Sequence, residues 1–364
     1  MSLSSGSLSA GTLGSGALTE RQRQLLMLCV SHFIKTVEPV ASRTLVKTYK
    51  LPVGAATIRN EMADLEEMGY LEQPHTSAGR IPTDKGYREY VDNIKDFHLS
   101  DADKSQLREL EEKYLTVKSE FQEVLNGAVR ILSEITNMVG VAARPNIGES
   151  HIEKIQLLDV GHRRVLVVLV TCSGMVETHV VATDGDLGQE RLEKVSRIFN
   201  ENFSNASIKD FLGGYLEVLT DLQLEYRNAV KSLLDKFFET LGSAGTDERE
   251  AVIEGATAVI RQPEFANLER ARELLTSFEG KDGIIQVVTQ INRSDDTPEV
   301  RIGVETRHRV MRDLAMVVTS YTSGGLERGT IGIIGPRRMN YPRVIASVDY
   351  ISKVLSRTLT KAGV

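Results

Sequence analysis

Between Pro52 and Gly69 the apolar residues Ile58, Met62 and Leu65 fall at i, i+4 and i+7, a spacing that places them together on one face of a helix. One side of this segment is thereby committed to a core. Thr57, Arg59 and Asn60 stand off that side in the first two turns, flanked by the small Ala55 and Ala56. A helix entering a DNA major groove has this construction: small residues at its N-terminal end allow close approach, and neighbouring side chains can pair with base edges or phosphates. Gly69 is placed to end the helix in left-handed geometry.

The flanking sequence completes a small domain. Thr19 and Gln22 read as a capping box for a first helix whose apolar side includes Leu26, Cys29, Val30 and Phe33. Glu38-Pro39 breaks it, and Ser42 to Lys50 reads as a short second helix carrying Arg43 and Lys47. The tight link Leu51-Pro52-Val53 leads into the third helix, so the three form a helix-turn-helix. Tyr70 to Gln73 is strand-like, Pro74 to Gly79 is a turn-rich loop, and Arg80-Ile81-Pro82 returns as a second short strand. Thr83 then caps a helix with Tyr87, Tyr90, Val91 and Ile94 at helical spacing. The expected DNA-binding set is Ser42, Arg43, Lys47, Thr57, Arg59, Asn60, His75, Ser77 and Arg80, with Thr76 beside them in the wing loop. His75 reads as a loop residue near phosphate. Arg80 has two readings, a pair with an acidic neighbour or a reach to backbone or minor groove.

At these residues a resemblance appears. The run ATIRNEMADLEEMGYLEQPHTSAGRIPTDKGYREYVD, within Val53 to Asp92, resembles the N-terminal domain of the bacterial heat-inducible transcription repressors (HrcA). GTIGIIGPRRMNYPRVIASVDYIS resembles that family's C-terminal signature, with Arg337 and Asn340 where the family usually has Thr and Asp. The resemblance implies a homodimer, a double-stranded inverted-repeat operator upstream of chaperonin genes, and a chaperonin that maintains the repressor's activity. Heat would draw the chaperonin onto unfolded protein and release the operator. It also implies a GAF-like sheet domain with an inserted dimerisation domain.

At 364 residues, two or three domains are expected. No run of 18 apolar residues exists, and the N-terminus lacks the basic and apolar regions of a signal peptide, so the expectation is a cytoplasmic protein without a membrane partner. Cys29 and Cys172 lie in apolar stretches without metal-ligand spacing and read as packed thiols. The net charge of −6 looks wrong for a DNA-binding protein, but residues 186–280 hold 11 Lys+Arg against 18 Asp+Glu. Thr19 to Asp92 is neutral, with 10 of each sign, so a duplex would have to meet a polarised face. Lys35, Arg43, Lys47, Arg59, Arg80, Lys85 and Arg88 are the candidates for that face, with Asp64, Glu66 and Glu67 at the far end of the third helix.

Residues 1–18 form a Ser/Gly-rich flexible tail. Beyond the winged region, Leu107, Leu110, Tyr114, Val117, Phe121, Val124, Ala128, Ile131, Ile135 and Met138 alternate spacings of three and four, a heptad seam that Gly127 weakens. It reads either as a dimer seam or lever, or as a helix packed on its own sheet. Strand character appears at 152–157, 164–170 and 175–182, and returns at 300–304, 314–321 and 329–334. The acidic, mainly helical block between these groups suggests an insertion separating two halves of one sheet. A final amphipathic helix carries Val344, Val348, Ile351, Val354 and Leu355. Gly332 to Pro336, followed by Arg337, Arg338 and Arg343, lacks the Walker and dinucleotide patterns and reads as a strand ending in a turn rather than an anion loop.

The expected architecture is α+β multidomain: a winged helix-turn-helix over 19–97, a linker helix and first half of a GAF-like domain over 98–185, an inserted helical dimerisation domain over 186–280, and the second GAF-like half over 281–364. No catalytic set, metal cluster or cofactor motif is expected, because GxSxG, HExxH and Cys/His pairs are absent. The alternative function is a metabolite-sensing winged-helix regulator with a ligand in the GAF-like domain.

Overall fold

A computed structural model describes residues 18–75, 78–94, 96–115, 121–145, 150–172, 174–220, 223–244, 251–260, 262–265, 267–280, 282–290, 297–323 and 327–362. The expected tail lies outside these residues apart from Leu18, which is buried. The chain divides into two compact units, residues 1–95 and 96–364.

The first unit runs α1 (Glu20–Thr36), α2 (Ser42–Tyr49), α3 (Ala55–Glu67), β1 (Leu71–Glu72), β2 (Ile81–Pro82) and α4 (Asp84–Asp92). Thr19 and Gln22 form the capping box of α1, which ends where Val37 turns left-handed. The expected stripe of α3 is its buried side: Ile58, Met62 and Leu65 are buried, as are Leu25, Leu26, Cys29, Val30, Leu45 and Tyr87, and α3 packs on α1 and α2. Gly69 follows α3 at φ +78°, and Thr83 starts α4 by accepting the Gly86 N–H while donating to the Gly69 carbonyl at 2.7 Å. β1 and β2 pair antiparallel, Leu71 with Pro82 and Glu72 with Ile81. A bridge from Arg80 to Val40 attaches the α1–α2 connection to the same ribbon.

The second unit opens with α5 (Asp101–Tyr114) and α6 (Phe121–Thr136). The heptad seam is not one rod. α5 and α6 pack against each other, and Tyr114 Oη donates to Glu134 Oε1 at 2.8 Å. Gly127 lies at the contact, where a Cβ would stand 2.6 Å from the Tyr114 carbonyl oxygen. The seam residues Leu107, Leu110, Phe121, Val124, Ala128, Ile131 and Ile135 are buried within the unit, so the pattern encodes a helix packed on its own sheet. Val117 lies outside the described residues.

The strands form two sheets, which corrects the expectation of one divided sheet. A five-stranded antiparallel sheet has the order β7 (Ala251–Glu254), β3 (Val139–Ala143), β10 (Glu327–Pro336), β9 (Leu314–Ser323), β8 (Glu299–Ile302). Leu314, Met316 and Val318 face a core with residues of α11 (Leu268–Glu279) and α12 (Asp282–Thr289), which follow α10 (Ala256–Ile260). β9 also packs on α13 (Tyr341–Ala362), which lies against α6. A separate three-stranded antiparallel sheet has the order β4 (Ile152–Asp159), β5 (Arg164–Thr171), β6 (Val176–Ala182). Its core is closed by α7 (Gln189–Phe203), α8 (Ile208–Gly214) and α9 (Leu224–Ala244).

The insertion therefore spans about 150–244 rather than 186–280, because the strands at 152–182 share their core with the helices that follow them. Within the acidic block, α8 and α9 are separate helices with a single 3-10 turn at Glu217–Leu219 between them. β3 and β7 complete the larger sheet but were not anticipated. β3 follows α6 after two residues, and β7 has four residues within the acidic block. Neither is long or shows a clear alternation.

Side chains complete backbone groups where the ladder stops. Along the outer edge of β4, Gln189 Oε1 accepts Asp159 N–H at 2.8 Å, Ser196 Oγ accepts Leu157 N–H at 3.0 Å, and Asn200 bonds both N–H and C=O of Ile155 at 2.8 and 2.9 Å. α7 is thus stitched to a strand edge that would otherwise recruit another strand.

Two measurements test this packing. Ser100 and Asp103 form the capping box of α5, and Arg343 Nε and Nη2 lie 2.8 and 2.7 Å from Asp103 Oδ1. Burial pushes the Asp103 carboxyl up, but the Ser100 and Arg343 hydrogen bonds and the guanidinium charge outweigh it and hold the carboxyl below its usual range. Its stabilisation is therefore complete above the unfolded value and disappears as pH falls through the folded one. Asp103→Asn should cost about 1–2 kcal/mol at pH 7 in urea unfolding, with the difference from wild type shrinking below about pH 4. Second, Cys29 is fully buried and its thiol is pushed up to about 12 by burial. Cys172 is half-buried and donates to Asn205 Oδ1 at 3.3 Å. A thiol reagent at pH 8 should label Cys172 in the native protein and reach Cys29 only on unfolding; labelling of both in the native state would contradict the packing around α1.

Candidate nucleic-acid interface

The exposed side of α2 and α3 differs from the rest of the first unit in how its helices begin. α1 and α4 are capped by Thr19 and Thr83. α2 and α3 start at Ala41 and Gly54, and neither has a side-chain cap hydrogen bond. The first N–H groups of an α-helix have no partner within it, and they carry the positive end of the helix dipole. Two uncapped starts on two helices that pack together form a surface suited to an anion.

The cations divide in the same way. Arg21 pairs with Glu61 at 2.7 Å, Arg23 with Glu89 at 3.0 Å, Arg80 with Glu66 at 2.8 Å, and Arg88 with Asp92 at 3.3 Å. Lys85 donates to the Met68 carbonyl at 2.8 Å and lies 4.1 Å from the Tyr70 ring centroid. Lys35, Arg43, Lys47, Lys50 and Arg59 are exposed and have no acidic partner among the described residues. Arg43 and Lys47 stand one turn apart on α2, on the side away from buried Leu45. Thr57, Arg59 and Asn60 are exposed in the first two turns of α3 while Ile58 is buried between them. A neutral unit thus keeps much of its free positive charge around α2 and the start of α3.

Of the residues expected to bind DNA, Arg43, Lys47, Thr57, Arg59 and Asn60 come to exposed positions on this adjoining pair of helices. His75 is exposed in the β1–β2 loop, Ser42 is half-buried at the first position of α2, and Ser77 lies outside the described residues, as does Thr76. Arg80 points inward to Glu66, the first of its two sequence readings. Lys85 and Arg88 also leave the expected basic face, since each is engaged within the unit. Lys50 and the backbone N–H groups at the starts of α2 and α3 were not anticipated. The signal was present, because Ala41 and Gly54 occupy positions where Ser, Thr, Asp or Asn would cap a helix.

In the second unit, Gly332 to Pro336 lie within β10, so this stretch is a strand. Arg338 pairs with Glu264 at 2.5 Å, Arg343 with Asp103, and Arg337 stands 3.7 Å from Asp313. These arginines join elements of the unit to one another. Among the described residues no group of His, Cys, Asp or Glu is placed to hold a metal, and no helix is long and apolar enough to cross a membrane. A cleft of about 520 Å³ beside β9 and α13 is lined by Ser320, Thr322, Tyr350, Lys353, Ser356 and Arg357 among others.

Residues 122–345 match the family described as HrcA protein C terminal domain. A heat-inducible transcription repressor HrcA from Acetivibrio thermocellus is 36% identical over 334 residues, covering 92% of this chain and 94% of that protein. The repressor of the same name from Natranaerobius thermophilus is 36% identical over 347 residues, 95% of this chain and 98% of that one. The one from Geobacter sulfurreducens is 33% identical over 342 residues, 94% and 98% of the two chains. A crystal structure of a hypothetical protein aligns over 95% of this chain and 100% of its own, with a TM-score of 0.55 and 24% identity, a likeness of fold. Identity at this level along nearly the whole length, together with the family match over most of the second unit, leaves one conclusion: the chain belongs to the HrcA family of heat-inducible transcription repressors.

Proposed function

We propose that this repressor reads an inverted-repeat operator as a homodimer, using the first unit as a winged helix-turn-helix. α3 enters the major groove, α2 lies along the backbone, and the β1–β2 hairpin is the wing. The observation that carries this reading is the coincidence of uncapped α2 and α3 starts with exposed Arg43, Lys47, Lys50 and Arg59, which have no acidic partner among the described residues. Arg59 and Asn60 contact base edges; Arg43, Lys47 and the backbone N–H groups contact phosphate.

Two half-sites on a duplex call for two copies of α3 about a two-fold axis. The inserted β4–β6 module supports a role in bringing them together. The sheet face turned away from its core is largely apolar, with Leu158 opposite Leu166, Leu166 opposite Val180 and Val170 opposite Val176. Val176 and Val180 are 56% and 55% exposed. Apolar rows of this kind on a solvent-facing sheet mark an association surface. The five-stranded sheet with helices on both faces serves as the GAF-like body, and the protein works in the cytoplasm. The resemblance to the family supports the remaining part of the reading: chaperonin genes are the targets, and the chaperonin keeps the repressor in its operator-binding state until heat diverts it.

Footprinting on the DNA upstream of the source organism's chaperonin operon, with and without chaperonin, tests the whole reading. Arg59→Ala or Asn60→Ala should lose roughly 1–3 kcal/mol on the protected sequence and much less on random duplex. Equal losses on both would make them phosphate contacts. Arg43→Ala should weaken both and lower the salt slope by about 0.9. Mild warming should release the operator, and chaperonin with ATP should restore binding without added metabolite. A small molecule that shifts affinity at constant temperature, with chaperonin inert, would favour the ligand-sensing alternative.

For assembly, Leu166→Asp with Val180→Asp should yield folded monomers in sedimentation and weaken operator binding, because two charges cannot be buried unpaired in an interface. A dimer that survives both substitutions would move the interface elsewhere.

A further inference from the structure

The base of the β1–β2 hairpin is tied to the C-terminal half of α3 by one side chain. Arg80 Nε and Nη2 each lie 2.8 Å from Glu66 Oε2, and the Arg80 side chain is 14% exposed. The backbone of the same residue is held on another side: Val40 N–H donates to the Arg80 carbonyl at 2.8 Å, and Arg80 N–H donates to the Val40 carbonyl at 2.9 Å. Gly79, just before it, passes so close to the α1–α2 connection that a Cβ would stand 2.5 Å from the Val40 oxygen and 2.6 Å from the Pro39 oxygen. Position 80 therefore joins the hairpin, the end of α3 and the approach to α2, and its guanidinium is engaged inside the unit.

We propose that Arg80 is a positioning residue for operator binding, acting through Glu66 to fix the angle of the hairpin against α3, and that it makes no phosphate contact. This rests on the reading of α3 as the duplex-binding helix. The start of α3 and the hairpin tip at His75 are separate contact points on one duplex. Fixing their relation in advance removes the cost of ordering the second once the first has bound. Loosening the Arg80–Glu66 pair lets the hairpin move, so both contacts are no longer made together.

The two roles for Arg80 make opposite predictions at Glu66. If Arg80 were a phosphate contact, Glu66 would compete with DNA for it. Replacing the carboxylate with an amide would then free the guanidinium, remove an acid near the duplex and tighten binding. If Arg80 is a positioning residue, the same change weakens binding. Salt separates the roles again, because a lost phosphate contact lowers the slope of log K against log salt by about 0.9 and a lost internal pair leaves it unchanged.

The test uses full-length protein and a duplex that the wild type selects from a random pool, titrated between 50 and 200 mM salt. Glu66→Gln and Arg80→Met should each weaken binding about tenfold with the wild-type salt slope, and Arg80→Glu combined with Glu66→Arg should recover most of the loss. Amide exchange at Leu26 and Val30, in the buried face of α1, reports whether each variant is folded, and the near-isosteric Glu66→Gln carries the test if Arg80→Met does not fold. Tighter or unchanged binding by Glu66→Gln, or a slope lowered by about 0.9 in Arg80→Met, would overturn the positioning role while leaving the DNA reading intact. A wild type that selects no duplex would overturn the DNA reading and this inference with it.

Discussion

A backbone N–H that loses water on folding needs another partner, and the ends of helices and the edges of sheets are where partners run short. Much of this protein's polar side-chain usage answers that need. Thr19, Thr83 and Ser100 complete the starts of their helices. Gln189, Ser196 and Asn200 complete the edge of β4, and Ser356 Oγ accepts the Thr322 N–H on β9. Within the first unit, the starts of α2 and α3 stand out because no side chain caps them, whereas Thr19 and Thr83 cap α1 and α4. The residues nearby are small or cationic, so the exposed N–H groups remain available to an external anion. The same requirement that closes the fold elsewhere leaves an opening at the candidate interface.

Charge follows the same division. The chain carries a net charge of −6, and its first folded region is neutral. A net figure counts Arg23 and Arg43 alike, although Arg23 is bound to Glu89 at 3.0 Å and Arg43 has no acidic partner among the described residues. Pairing with acids neutralises Arg21, Arg23, Arg80 and Arg88 locally and leaves the others to set the potential of one surface. What a duplex would meet is that residual pattern, which sums over the sequence cannot reveal.

The second unit shows where a linear reading fails. Strands form in both expected groups, although Gly303 and Val304 fall in a 3-10 turn beyond β8, yet the two groups lie in different sheets. A period of two says that a segment is extended with one side buried; it does not say which strand lies beside it. The partner of β10 on one side is β3, nearly two hundred residues away in sequence. β3 is a short run of Val, Gly and Ala buried on both faces, so it lacks alternation. The heptad seam allowed two readings, and packing selects one of them: α5 and α6 fold against each other and bury the seam within the unit.

The sequence by itself determined the helices, caps and turns of the first unit, because those depend on interactions within a few residues: the Thr19–Gln22 box, the Ile58–Met62–Leu65 stripe, the left-handed Gly69. It also determined which side chains of α3 face out, since a buried stripe fixes the opposite side. Family membership was legible from the motifs near both ends. Tertiary structure alone decided which strands share a sheet and where the insertion begins. It also decided whether Arg80 reaches outward or inward, and it chose inward: Glu66 lies fourteen residues away in sequence and 2.8 Å away in space. An arginine on a hairpin carries no mark of its partner, because its long side chain can reach several neighbours and only the packed fold brings one acid within bonding distance.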